Sequence, residues 1–307
     1  MKKPFRYFAT LSIVLISATL INATTFIKHT FSTDSIKDTL KNTSEYYEIK
    51  ALKIPKGIHF AGELVPIEKP DIKERMDREL LVNTYWQSNS LLLIKRANKY
   101  FPVIEPILKK YGIPDDFKYL ALIESGLQNV TSPAGAKGFW QIMKDTAKEN
   151  GLEVNSNVDE RYHLEKATEV ACMYLLHSKE LFGTWTLAAA AYNGGNNGIM
   201  KRLKSQRVDT YYDLLLGEET GRYVFRIAAI KEIMNNTEKY GFKFDNEDLY
   251  NLEATKIVEV DTAITDIALF AQNFGTNYKE LKIHNPWLRE NKLNNKSRKL
   301  YYIKLPQ

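Results

Sequence analysis

Ala121-Leu-Ile-Glu-Ser-Gly126, followed by Thr131-Ser-Pro-Ala-Gly-Ala-Lys-Gly-Phe-Trp-Gln-Ile-Met143, is the stretch from which the rest of the chain is read. Pro114-Asp115-Asp116 opens a helix that runs through Ile123-Glu124 and closes near Gly126, a residue suited to a left-handed C-cap. The carboxylate of Glu124 therefore ends an apolar helix, where Leu120, Ala121 and Ile123 surround it with hydrocarbon. Desolvation disfavours the charged form and raises the pKa, which a general acid working near neutral pH needs. Taken alone, one glutamate at a helix end is ordinarily solvated surface, so its neighbours along the chain must decide.

Working outward, residues 76 to about 240 read as helices. Apolar residues recur at spacings of three and four, as in Tyr100, Ile104, Ile107, Leu108 and Tyr111. Gly151 closes one short helix and Gly183 a longer one from about Leu164. Trp185 to Tyr192 is apolar and alanine-rich, as in a buried helix, and a last helix of about Glu219 to Asn236 carries Tyr223, Ile227, Ile230 and Met234 on one face. The expected architecture is mainly α. Cys172, the single cysteine, lies on an apolar helical stretch where a thiol packs as a small hydrophobe.

Beyond Asn246 the period changes. Ile257-Val-Glu-Val reads as a strand, Thr265–Phe274 and Tyr278–Asn285 as short helices, and Tyr301-Tyr-Ile-Lys-Leu as a closing strand. Residues 250–307 are thus expected as a separate βααβ module, residues 76–245 as the main domain, and the polar residues 28–75 as a juxtamembrane spacer. At the other end, Lys2, Lys3 and Arg6 precede an uncharged run from Tyr7 to Ile27. That pattern marks residues 1–27 as a secretory signal or a signal anchor and places the protein in the periplasm or cell envelope.

Around Glu124 four further motifs follow in order: the Thr131–Met143 segment, Asp159-Glu-Arg161, Ala191-Tyr-Asn-Gly-Gly195 and Glu219-Thr-Gly-Arg-Tyr-Val224. Together they resemble the SLT domain of lytic transglycosylases, glycoside-cleaving enzymes with a lysozyme-like fold, over roughly residues 90 to 240. The βααβ module resembles the peptidoglycan-binding LysM domain through Ile264-Thr-Asp-Ile-Ala, Phe274-Gly, Leu281-Lys-Ile-His-Asn285-Pro286 and Ile303-Lys-Leu-Pro306. The SLT resemblance implies Glu124 as the catalytic acid/base. It implies Ser125 as support for local hydrogen bonding and Ser132 as a substrate contact near the glutamate. Gln141 would line the sugar groove, Tyr192 and Asn193 would stand beside the scissile bond, and the hydroxyl of Tyr223 would approach Glu124. Trp140 is open to two roles, packing or a sugar platform. Where the family commonly has proline after Tyr-Val, this chain has Phe225. On residue type alone, Tyr192 and Tyr223 are ordinary helical core aromatics, and Asp159-Glu160-Arg161 reads as a structural salt-bridged turn, with a role at the groove edge as the alternative.

Most glycosidases pair two carboxylates about 5–9.5 Å apart. Asp115 and Asp116 precede Glu124 by nine and eight residues, roughly 12–13 Å of rise on one helix and too far for a direct partner. The resemblance implies a mechanism that needs no second carboxylate. The N-acetyl group of the substrate stabilises the oxocarbenium-like centre, and Glu124 protonates the glycosidic oxygen of the MurNAc-GlcNAc β-1,4 bond. Glu124 then takes the proton of the C6 hydroxyl, giving 1,6-anhydromuramic acid ends. A hydrolase on the same fold, like goose-type lysozymes, and a non-catalytic wall-binding protein are the alternatives. The implied partners are peptidoglycan glycan strands, with membrane anchoring through residues 7–27.

A net charge of +6 and a pI near 9.0 suit any polyanion. No nucleic-acid signature accompanies them, and nucleic acid is not expected as a partner. Gly194-Gly195-Asn-Asn-Gly198 follows a helix rather than a strand, which argues against a phosphate loop. The five histidines are too scattered in sequence for metal-ligand spacing, so neither metal nor cofactor is expected.

Overall fold

In the computed structural model residues 49–307 are described; the uncharged run at Tyr7–Ile27 lies outside the described residues. No helix among the described residues is long and apolar enough to cross a membrane. Among the described residues the first paired strands form a hairpin of β1 (His59–Phe60) and β2 (Glu63–Leu64), joined by Ala61 and Gly62, both at positive φ. Two left-handed residues in a two-residue loop match the twist of the paired strands. Then come α1 (Pro70–Tyr85), α2 (Gln87–Lys110), α3 (Lys118–Ser125), α4 (Lys144–Glu149), α5 (Leu164–Phe182), α6 (Trp185–Gly194), α7 (Asn196–Gln206) and α8 (Glu218–Asn235). This all-α body is followed by β3 (Thr255–Val260), α9 (Ile267–Asn273), α10 (Tyr278–His284) and β4 (Tyr301–Pro306).

One apolar core joins α1 to α8. The alanine run Ala188–Ala191 of α6 is fully buried, and its small side chains let the flanking helices α5 and α8 pack close against it. Cys172 is buried in the same core, its thiol pushed up to about 12 chiefly by burial, so it packs rather than reacts. Glu79 of α1, almost wholly buried, accepts a hydrogen bond from Arg222 of α8 at 2.6 Å, which locks the first and last helices of the body together.

Part of the stretch read as a spacer is built into this body. Phe60, Val65 and Ile72 are fully buried. The Glu63 carboxylate accepts from the backbone N–H of Trp185 (2.6 Å) and Thr186 (2.9 Å) at the start of α6, satisfying orphan donors at the positive end of the helix. The physical reason is that the short apolar pairs in residues 52–75 are spaced as a hairpin and an amphipathic first turn, which residue polarity alone hides.

In the C-terminal module β3 and β4 pair antiparallel with Val258 opposite Ile303. Tyr301, Ile303 and Leu305 alternate inward along β4 and pack on Ile267, Ala271 and Leu281. Asp266 caps α9 through the N–H of Ala268 and Leu269, and Asn277 caps α10 through that of Glu280. The βααβ order is as expected, but the module does not close its core alone, because Val158 and Tyr162 of the helical body belong to it. Backbone bonds from Asp159 to Trp287 (2.9 Å) and from Arg289 to Asn157 (2.8 Å) seal the seam.

Candidate active site

Glu124 sits one residue before the end of α3, which stops because Gly126 and Leu127 both turn left-handed, at φ 60° and 55°. Its carboxylate is half-buried and accepts a hydrogen bond from the hydroxyl of Tyr223, a buried residue on α8. Burial pushes the Glu124 carboxyl above its ordinary range, and the negative charge of Glu219 adds to this; the Tyr223 bond and the Arg226 guanidinium pull the other way without cancelling it. The Tyr223 hydroxyl is itself pushed well up, by burial and then by the Glu124 charge, so it stays protonated and is the donor toward an ionised Glu124 carboxylate.

Arg226 and Glu219, also on α8, act on Glu124 as well, although sequence reading assigned Glu219 no role beyond opening its motif and Arg226 none at all. The helical spacing places Glu219, Tyr223 and Arg226 at steps of four and three, on one face. Arg226 donates to the Ile123 carbonyl at 3.0 Å, which fixes the end of α3 against α8. Glu219 accepts from the Asn193 amide at 3.1 Å, while the Asn193 carbonyl accepts from Thr220 at 2.7 Å. Asn193 is thereby held rigidly at the end of α6. Asp115 and Asp116 are engaged elsewhere, with Lys118 at 2.6 Å and Lys231 at 2.5 Å.

Tyr192 lies close enough to feel the Glu124 charge, which together with the larger effect of burial holds its hydroxyl well above the ordinary range. That hydroxyl donates to the Trp140 carbonyl at 2.8 Å. Trp140 is fully buried, and its indole N–H donates to Thr168 at 2.8 Å. Of the two roles open from sequence, the structure places Trp140 in packing.

The 130–142 loop is braced from several sides. Ser125, the buried last residue of α3, donates to the Phe139 carbonyl at 2.8 Å. Ser132 turns its hydroxyl inward to accept from Ala136 N–H at 3.0 Å, closing its own turn. Gln141 stands at φ 47°, a left-handed conformation unusual for a side chain of this size, with its amide donating to Gly138 O at 2.8 Å and Val130 O at 3.2 Å. Strained backbone of this kind persists where surrounding contacts over-determine it. Beneath the loop, buried Arg161 pairs with Asp159 at 2.8 Å and reaches the carbonyls of Gly135 and Ile142 at 3.1 and 3.3 Å. Burial alone would raise the Asp159 carboxyl, but Arg161 outweighs it and holds it below the usual range.

The structure thus brings Glu124, Tyr223, Tyr192 and Asn193 into one electrostatic neighbourhood. Ser125, Ser132 and Gln141 hold the loop that borders it. Away from it, Glu253, Glu280 and His284 place one donor atom each within 4.8 Å of one another. Sequence spacing could not reveal that group, since Glu253 joins it from the segment before β3.

Residues 102–214 match the family model of the transglycosylase SLT domain, and residues 256–307 match that of the soluble lytic transglycosylase C-terminal LysM-like domain. Membrane-bound lytic murein transglycosylase D of Escherichia coli K12 is 28% identical over 236 residues, covering 74% of this chain and 50% of the relative. The protein of that name from Escherichia coli O6:H1 matches at the same identity and coverage. The chain spans about half the length of these curated relatives. Among solved structures, the 70 kDa soluble lytic transglycosylase of Escherichia coli aligns over 69% of this chain and 42% of its own, with TM-score 0.40 and 19% identity. An inactive mutant of the Pseudomonas aeruginosa lytic transglycosylase Slt aligns over 50% and 27%, with TM-score 0.39 and 20% identity.

Proposed function

We propose that this chain, which carries a transglycosylase SLT domain and a C-terminal LysM-like domain, is a peptidoglycan lytic transglycosylase of the cell envelope, with Glu124 as its one acid/base. The observation that carries this is the Glu124 carboxyl itself, raised by burial and accepting a hydrogen bond from the Tyr223 hydroxyl. Burial that disfavours the charged form makes the carboxyl a better-matched general acid, able in its protonated form to deliver the proton to the glycosidic oxygen between N-acetylmuramic acid and N-acetylglucosamine. As the C1–O4 bond breaks, the substrate's own N-acetyl group supports the developing positive charge at C1.

Glu124 is then a carboxylate, and the Tyr223 hydroxyl and Arg226 guanidinium are the groups that stabilise it. In that form it takes the proton of the muramic acid C6 hydroxyl. The C6 oxygen bonds to C1, the 1,6-anhydro ring closes, and Glu124 is left protonated for the next cycle. The intramolecular attack carries the usual advantage of a nucleophile already held in place. Asn193, fixed between Glu219 and Thr220, offers a rigid amide edge beside the scissile bond, and Tyr192 closes the wall behind it. Ser125, Ser132 and Gln141 act by holding the 130–142 loop that lines the groove. Residues 1–27 export the protein or anchor it at the membrane, where glycan strands are its partners.

Digestion of purified sacculi followed by mass spectrometry tests this. The wild type should release muropeptides ending in anhydromuramic acid, one water lighter than hydrolysed ends, and Glu124→Gln should release none while still binding sacculi. Hydrolysed ends would move the assignment to a hydrolase, and near-normal release by Glu124→Gln would remove Glu124 from the mechanism.

A further inference from the structure

Two concavities run together from the end of α3 toward the C-terminal module. The first is lined by Gln128 and Asn129, which follow directly on the Glu124 helix, and by Arg96 and Lys99 of α2. It shares Lys99, Tyr100, Asn129 and Phe139 with a second concavity, which counts about 770 Å³ out to its open mouth. The far wall of that second chamber belongs to the βααβ module, through Ile283 and Trp287.

Its chemistry is uneven. Of the acids on the chamber wall, Glu165 pairs with Lys304 and lies 3.2 Å from His163, while Glu253 lies 3.2 Å from His284. Lys99 has no carboxylate partner among the described residues, and its ammonium lies 5.6 Å from the Tyr100 ring centroid. Arg96 likewise spends its one hydrogen bond among these residues on the Gly126 carbonyl, 3.2 Å away. Ile283, an apolar residue 52% exposed, faces this space from the module. The chamber therefore offers a cationic edge next to an apolar wall, the complement of a short peptide that carries a carboxylate and alkyl side chains.

We propose that this chamber is a joint binding site for the carboxylate-bearing stem peptide of a peptidoglycan strand, with Lys99 of the helical body and Ile283 of the βααβ module contributing from opposite walls. The proposal rests on the reading of Glu124 as the peptidoglycan-cleaving group. The module then acts as a fixed wall of this chamber, which its shared core with Val158 and Tyr162 makes rigid enough to do.

Titration calorimetry on full-length Glu124→Gln protein, where turnover does not consume the probe, reads the site directly. The probes are a disaccharide tetrapeptide and the same disaccharide stripped of peptide. The peptide-bearing probe should bind about tenfold more tightly, a difference of about 1.4 kcal/mol. Lys99→Glu and Ile283→Glu, introduced separately, should each remove most of that preference; both side chains are partly exposed, and unchanged thermal unfolding would confirm intact folds. Equal binding of the two probes overturns the proposal, and so does loss of preference in Lys99→Glu alone, which would exclude the module wall. If Glu124→Gln still released anhydro ends from sacculi, the catalytic reading would fail, whereas the probe comparison would still decide the chamber.

Discussion

Gly138→Ala is the substitution with the most steric consequence among the glycines of the 130–142 loop. Gly138 stands at φ 77°, in the turn between Lys137 and Gln141, and a Cβ built there would lie 2.0 Å from the Arg161 carbonyl oxygen and 3.0 Å from its carbon. The obstacle is backbone, and that backbone is pinned by the buried Arg161–Asp159 pair, so it cannot move aside cheaply. A non-glycine residue in the left-handed region costs about 1–2 kcal/mol, and forcing an extra carbon into packed surroundings adds about 1–3 kcal/mol. Gly135, three residues earlier on the same loop, supplies the control: its φ is 87°, yet a Cβ there meets nothing within 4 Å. Gly135→Ala should carry only the backbone cost. The two variants should therefore differ by about 2 kcal/mol, roughly 4–8 °C in Tm for a body of this size. Differential scanning calorimetry measures that gap, and turnover of sacculi should fall with Gly138→Ala, because the displaced loop carries Gln141 and the Phe139 carbonyl that holds Ser125. Equal losses of Tm in the two variants would refute the close approach of the loop to Arg161.

Two further outcomes follow from the electrostatics of Glu124. Tyr223→Phe removes one of the groups that favour the carboxylate, so the alkaline limb of kcat/KM should move to higher pH while kcat falls about tenfold, the worth of a hydrogen bond to a charged group; a limb at or below the wild-type position would contradict this. Because the folded state raises the Glu124 carboxyl, it holds its proton more tightly than the unfolded chain does. Stability is then lost as pH rises from the ordinary carboxylate range through the raised folded value. Glu124→Gln removes that loss and should gain about 0.5–2 kcal/mol at pH 8, a few degrees in Tm, with the gain vanishing near pH 4; a gain that grows on acidification would have the wrong sign.

Much of the fold was legible in the chain because its signals are local. Helix ends at Gly126 and Gly183 follow from residues that tolerate left-handed backbone, observed at φ 60° and 74°, and the alternation of Tyr301, Ile303 and Leu305 follows from the two-residue period of a strand. Glu124, Tyr192, Asn193 and Tyr223 could be named from ordered short motifs, and the structure brings them together. Ser132 and Gln141 could be named but not oriented, since only the folded loop turns their polar atoms onto its own backbone.

What the sequence determined by itself was which segments form helices and strands, and which residue types could carry a proton, because both depend on near neighbours along the chain. Tertiary structure alone decided the surroundings of those residues. Glu219 and Arg226 reach Glu124 across roughly a hundred residues of chain. Trp140 is core because Thr168 of α5 takes its N–H. The 52–75 segment is part of the body because Glu63 meets the start of α6, and the βααβ module borrows Val158 and Tyr162 to close its core. Each of these depends on apolar burial and on charges meeting over long sequence separations, which no local pattern encodes.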